Sequence, residues 1–260
     1  MSTLSKGWNI QVRVINALMI RELTTRFGRE NIGFLWVMAE PLLFAVLVGL
    51  LWRMMKGPYE HGVDIMAFVV SGYIPLVLFR SSLARSLNSF TANGSLMYHR
   101  QIKILDIILV RCFIELVGHM MAYLFIGSVM GAFGIFPWPH DIGFVMLGWG
   151  YYALFTLSIC LVVAPLSEMS EVLEKFMPVT AYLMVPFSGA FFTVSALTPA
   201  AASIVLYSPP VHGMEMMRYG LFGASIDPQY DFLYPLKFCL PCMALGLLLC
   251  RIVRRDLVVE

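Results

Sequence analysis

The chain has 260 residues and a formal net charge of +2, with 59% hydrophobic and 13% charged residues. Soluble domains run at roughly 45–50% and 25%, so a soluble enzyme is excluded at the outset. The small net charge, with no basic run carrying interleaved aromatics, excludes a nucleic-acid partner. The composition is that of an all-α polytopic membrane protein, and its apolar runs leave no length for a second domain, so residues 1–260 form a single transmembrane domain.

Residues 9–30 open the chain as an amphipathic helix. Ile15, Met19, Leu23 and Phe27 make an i, i+4 row, with Val12 and Leu18 beside it, while Arg13, Asn16, Arg21, Thr24 and Thr25 fall largely elsewhere. Such a helix lies in the inner interface with its arginines toward anionic headgroups. It serves as an anchor or as a surface for a cytoplasmic partner. Gly33 and Pro41 punctuate the turn into the first apolar run, residues 34–52. Further runs follow at 65–79, 104–136, 142–165, 177–197 and 232–252. A span needs about 20 mostly apolar residues, which predicts six spans.

Lys and Arg set the orientation. Lys6, Arg13, Arg21, Arg26 and Arg29 precede the first run, Arg80, Arg85, Arg100 and Lys103 follow the second, and Arg251, Arg254 and Arg255 end the chain. The loop after the first run carries only Arg53 and Lys56, and residues 137–141 carry none. The positive-inside bias puts both termini and residues 88–103 in the cytoplasm. Lys175 falls in the remaining inner loop. Residues 88–103, NSFTANGSLMYHRQIK, hold a helix-start pattern at Asn93-Gly94-Ser95. They form a lever on the two spans they join, or a solvated connector.

The third run carries Arg111, Glu115 and His119 at i, i+4 and i+8, one helical stripe. Ionisable groups at membrane depth are costly unless paired and usually face the bundle interior. An Arg111–Glu115 pair that locks the span is the structural expectation, a proton relay or polar lining the functional one, with Glu40 as an interhelical partner. Trp149, Tyr152 and Phe155 share one face of the fourth run, and Phe187 and Phe191 one face of the fifth. Such stripes pack, form interface belts, or offer ring faces to sugars. Residues 199–222 are apolar, but Pro209-Pro210 breaks them into halves too short to span. The segment 199–228 therefore reads as a re-entrant pair of half-helices on the outer side, buried in protein or bordering a wet cavity.

Several chemistries are missing. There is no phosphate-cradling Gly-x-x-x-x-Gly-Lys-Ser/Thr, no Gly-x-Ser-x-Gly and no His-Glu-x-x-His. Catalytic residues and a resident metal or cofactor are not expected. His212 and Glu215 have a metal-like spacing, but two ligands are too few. Five cysteines, Cys112, Cys160, Cys239, Cys242 and Cys250, fall in or beside apolar runs and read as packing. If the chain transports a substrate, the energy must come from another chain or from a gradient.

Arg21-Glu22-Leu23, Arg26-Phe27-Gly28-Arg29, Gly33-Phe34-Leu35-Trp36 and Glu40-Pro41 resemble the opening signature of type-2 ABC exporter permeases. Residues 98–103 through Asp106, and Pro210-Val211-His212 with Glu215 and Arg218, resemble the capsular polysaccharide branch. Ile104 stands where that branch often has proline, and Ser208 where it often has asparagine.

The resemblance implies a homodimer in the bacterial inner membrane, bound to two ATP-binding cassette ATPase subunits that hold ATP and Mg. It implies export of a lipid-linked capsular polysaccharide to the periplasm, with a periplasmic co-polymerase and an outer-membrane channel as further partners. Ser95, Leu96, Met97, Tyr98, His99, Arg100 and Gln101 would then be the coupling helix seated in the ATPase. A sliding polymer calls for many weak ring contacts. Trp149 and Tyr152 are accordingly expected to face the pore, Tyr207 and Tyr219 to sit near its outer mouth, and Arg218 to attract acidic sugars there. The rival readings are a same-fold permease for O-antigen, teichoic acid or a drug, and a proton-coupled transporter or membrane-embedded enzyme using Arg111, Glu115 and His119.

Overall fold

The computed structural model of the chain describes residues 3–27, 32–60, 62–87, 89 and 103–256. The order is α1 (Thr3–Phe27), α2 (Ile32–Lys56), a small hairpin of β1 (Tyr59–Glu60) and β2 (Val63–Asp64), α3 (Ile65–Ser86), α4 (Ile104–Ala132), α5 (Ile142–Met169), α6 (Glu171–Leu183), α7 (Pro199–Val205), α8 (Pro209–Phe222) and α9 (Tyr234–Asp256). Among the described residues, α3, α5 and α9 are long and apolar enough to cross a membrane by length and composition. The expected coupling residues 95–101, and the side chain of Glu40, lie outside the described residues.

Helix starts follow local chemistry. Asp64 caps α3, its carboxylate accepting from the Met66 amide at 2.8 Å, and Asp141 caps α5 by accepting from Phe144 at 3.2 Å. Such caps satisfy amides that the helix itself leaves open. At α4 the carboxylate of Asp106 reaches back to the Lys103 amide at 3.1 Å and also accepts from the side chain of Gln11 on α1. The start of α4 is thereby tied to the amino-terminal helix.

The amino-terminal helix packs through a slightly different stripe from the expected row. Leu18 is its buried residue and meets Ile107, Val110 and Ile114 of α4, flanked by Val14, Ile15, Met19 and Leu23. The seam turns toward α4 because Leu18 centres it.

The fifth apolar run departs from the expectation of one continuous span over 177–197. Helix α6 begins earlier, at Glu171, and stops at Leu183; a single 3-10 turn follows at Val185–Phe187 and another at Val194–Ala196. Pro186 is the second residue of that first turn, and Gly189 takes φ 71°, a left-handed conformation that favours glycine. Hydropathy registers the apolar side chains and misses these backbone breaks.

Helix α5 is the hub and packs most extensively on α8 and α9. Between helices in lipid there is little hydrophobic driving force, so close backbone approach and polar contacts decide. A Cβ at Gly148 of α5 would lie 2.5 Å from the Gly213 carbonyl of α8, so the crossing requires glycine there. Helix α8 is buried almost all round, from Pro209 to Arg218 without interruption.

Candidate substrate-path site

The chain breaks between α7 and α8, and polar side chains take up the backbone groups left open. Pro209 and Pro210 begin α8, where a missing N–H costs least. Ser208 Oγ donates to the Phe187 carbonyl at 2.6 Å. His212 Nδ1 accepts from the Asp231 amide at 2.9 Å, so Nε2 carries the proton and donates to the Leu206 carbonyl at 2.9 Å. Asp231 in turn accepts from the Leu233 amide at 2.7 Å, which holds its carboxyl below the ordinary range. Glu215 accepts from the Val194 amide through Oε1 and from the Gln229 amide through Oε2, both at 3.2 Å. With these atoms spent on the backbone, His212 and Glu215 do not form the start of a metal site.

Arg218 is fully buried. Its Nη1 donates to the Gly189 carbonyl at 2.7 Å and to the Phe192 carbonyl, and its Nη2 to the Ala190 carbonyl. The guanidinium lies over the Phe68 ring at 3.8 Å. The expectation that Arg218 meets acidic sugars at a mouth is therefore corrected. A guanidinium fork carries five donors, and the carbonyls of the broken 188–194 segment supply the acceptors. Gly72 makes room, since a Cβ there would stand 2.0 Å from the Ala190 carbonyl oxygen.

The ring residues divide. Trp149 and Tyr152, expected to face a pore, are each only 2% exposed within this single chain. Trp149 meets the edge of Tyr123 at 5.5 Å. Their α5 face turns inward because α8 and α4 cover it. Tyr207 is 76% exposed, on the break between α7 and α8, and Tyr234 donates to its carbonyl. Tyr219 is half-buried against Phe144 at 5.1 Å.

The α4 stripe pairs outward. Glu115 is buried and forms its ion pair with Arg85 of α3, not with Arg111. Arg111 reaches Glu22 of α1 at 3.2 Å and donates to the Arg85 carbonyl at 2.7 Å. His119 Nδ1 donates to the Glu115 carbonyl at 2.9 Å and lies 3.5 Å from its carboxylate. The expected Arg111–Glu115 pair is corrected because each side chain finds a partner on a neighbouring helix, where the contact ties elements together. Sequence reasoning counted Arg85 only as an orientation charge and gave Glu22 no role. The signal for both was present: charges on helices beside a charged stripe.

Comparison with known proteins sets this geometry in a family. The sequence profile of the ABC-2 type transporter family matches residues 13–222. This chain belongs to the ABC-2 type transporter family. Within it, the chain is 38% identical over 217 residues to the capsule polysaccharide export inner-membrane protein CtrC of Neisseria meningitidis serogroup B, covering 84% of this chain and 82% of that one. It is 35% identical to BexB of Haemophilus influenzae, a protein of the same description, over 86% of this chain and 85% of BexB. It is 24% identical to the polysialic acid transport protein KpsM of Escherichia coli, over 94% and 95% of the two chains. As an ABC-2 type transporter chain it carries α1 from Arg13 onward, α2 and the whole Arg218 assembly within the matched residues.

Proposed function

We propose that this permease moves a lipid-linked capsular polysaccharide from cytoplasm to periplasm, as the transmembrane subunit of an ATP-driven exporter. The observation that carries the reading is the match to capsule export inner-membrane proteins across more than four-fifths of each chain. The chain acts as a homodimer of six-span protomers with cytoplasmic termini. ATP and Mg belong to a separate ATPase subunit, which receives residues 95–101 as the coupling element. A periplasmic co-polymerase and an outer-membrane channel continue the route. The hairpin end, with β1–β2 and the re-entrant pair α7–α8, faces the periplasm.

Three features support an energy-coupled permease. Both chain ends of the coupling segment are anchored: Arg85, just before it, meets Glu115, and Lys103, just after it, meets Asp106. Glu22 and Gln11 bring α1 onto the same two anchors through Arg111 and Asp106. Helix α8 is held to the α6–α7 segment by buried side chains, so a push on the spans reaches it through a packed path.

Deletion of the gene in an encapsulated host tests the reading. Surface polysaccharide should disappear and polymer should accumulate inside, with restoration by the wild-type gene. Tyr98→Ala and Arg100→Glu should fail to restore export, or uncouple it from ATP hydrolysis. Unchanged surface polysaccharide in the deletion strain would overturn the function.

A further inference from the structure

A cavity of about 360 Å³ opens at the hairpin end of the bundle. It holds Phe191, one of the rings expected from sequence to offer a face to sugars, but none of Trp149, Tyr152, Tyr207, Arg218 or Tyr219. Its floor is Val63, Ile65 and Phe68. Trp52, at the end of α2, and Phe191 form one wall, with ring centroids 5.8 Å apart and tilted by 45°. The Lys56 ammonium lies 4.8 Å over the Trp52 ring. The facing rim carries the hydroxyls of Thr193, Ser195 and Ser225 and the exposed carboxylate of Asp227. The volume falls in the range of small-molecule pockets.

The pocket is preorganised from behind. Phe68, its floor, has Arg218 stacked against it, and that same guanidinium holds the carbonyls of Gly189, Ala190 and Phe192. Phe191 and Phe192 are thus fixed by hydrogen bonds to their own backbone segment. The two lips, residues 192–196 and 225–229, are tied through one carboxylate, since Glu215 accepts from Val194 on one and Gln229 on the other. Loops held this way lose little entropy on binding.

We propose that this cavity is a sugar-binding pocket that takes one residue of a glycan chain at the hairpin end of the permease. An apolar sugar face lies against the Trp52–Phe191 wall, and sugar hydroxyls meet Asp227 and the hydroxyl rim. Aromatic rings give contact area at low ordering cost, and a few placed polar groups fix orientation. Glu215 and Arg218 are positioning residues behind the pocket and do not touch the sugar. The assignment of the glycan as transported cargo rests on the export reading above; the pocket itself is tested separately.

The probe is an oligosaccharide prepared by partial hydrolysis of the host's own surface polysaccharide, added to the purified full-length chain in detergent and followed by saturation-transfer NMR. Sugar C–H protons should receive saturation from the wild type. Trp52→Ala should weaken binding about tenfold, equivalent to about 1.4 kcal/mol. Ser195→Trp, which fills the cavity from an exposed rim position, should do the same while leaving the melting temperature unchanged. Equal binding in wild type and Ser195→Trp, or displacement of the glycan by glycerophosphoglycerol at equal concentration, would overturn the pocket and identify a lipid-headgroup site in the second case. In cells, full restoration of surface polysaccharide by both variants would remove the pocket from the export route while export stands. A deletion strain with normal surface polysaccharide would remove the export reading while the NMR result still decides the pocket.

Discussion

The carboxylate of Glu115 is buried on α4 and pairs with Arg85, whose side chain is 39% exposed at the last turn of α3. The two ends of this pair sit in different surroundings, so removing one is unlike removing the other. Arg85→Gln takes the guanidinium from a buried carboxylate that cannot rehydrate, with the His119 ring still 3.5 Å from it, and should cost about 3–5 kcal/mol. Glu115→Gln leaves an arginine that can turn to water or headgroups and should cost less than half of that. Thermal unfolding in detergent, compared between the two variants, checks the asymmetry. Equal losses would mean that the pair is not what holds α3 to α4.

Glu22 and Arg111 join α1 to α4 at 3.2 Å with both side chains largely covered. Glu22→Gln or Arg111→Gln should loosen α1 by about 1.5–3 kcal/mol, the range for a hydrogen bond between charged groups. Limited proteolysis should then cut α1 sooner, with the rest of the bundle intact. The double change Glu22→Arg with Arg111→Glu should restore part of the protection.

Arg218→Lys keeps the charge and loses the fork. Lysine presents one ammonium to three carbonyls, so part of the 188–194 backbone is left open. Gly72→Ala attacks the same place from α3, since its methyl would press on the Ala190 carbonyl. Each should destabilise at the upper end of about 1–3 kcal/mol, as overpacking or a lost buried bond does. Combining them should cost less than the sum, because both disrupt one contact. Full additivity in melting experiments would show that Arg218 and Gly72 act on separate features.

The neutral Nε2–H form of His212 is required by its two bonds, one accepted from Asp231 and one donated to Leu206. Nitrogen NMR of labelled protein should show that tautomer at neutral pH. His212→Phe should keep the ring against Tyr234 and lose both bonds, about 1 kcal/mol each. A protonated ring at neutral pH would contradict the assigned network.

Much of the helical content was legible because hydropathy reports it directly. The runs at 104–136 and 142–165 appear as α4 and α5 with small shifts at their ends. The break before α8 was legible too, since proline pairs begin helices and do not continue them. The end of α6 at Leu183 was not, because the apolar side chains continue to Leu197 while the backbone turns away at Pro186 and Gly189. The inward burial of Trp149 and Tyr152 was equally hidden, for periodicity shows that two rings share a face without saying which helix covers it. The partner of Glu115 needed three dimensions, as Arg85 lies thirty residues earlier on another helix. The wall of the cavity joins Trp52 to Phe191 across a distance in sequence that no local pattern spans.

The stapling of residues 188–194 by α8 has a consequence for how the chain is made. A helical span satisfies its own backbone as it leaves the ribosome, but this stretch depends on Arg218 and Glu215, which are synthesised later. Until α8 arrives, the carbonyls of Gly189, Ala190 and Phe192 must stay in water or at the bilayer surface. Residues 188–194 therefore reach their final packing only after translation of α8, and a nascent chain arrested before Arg218 would hold its upstream helices in place while this segment waited outside the hydrocarbon.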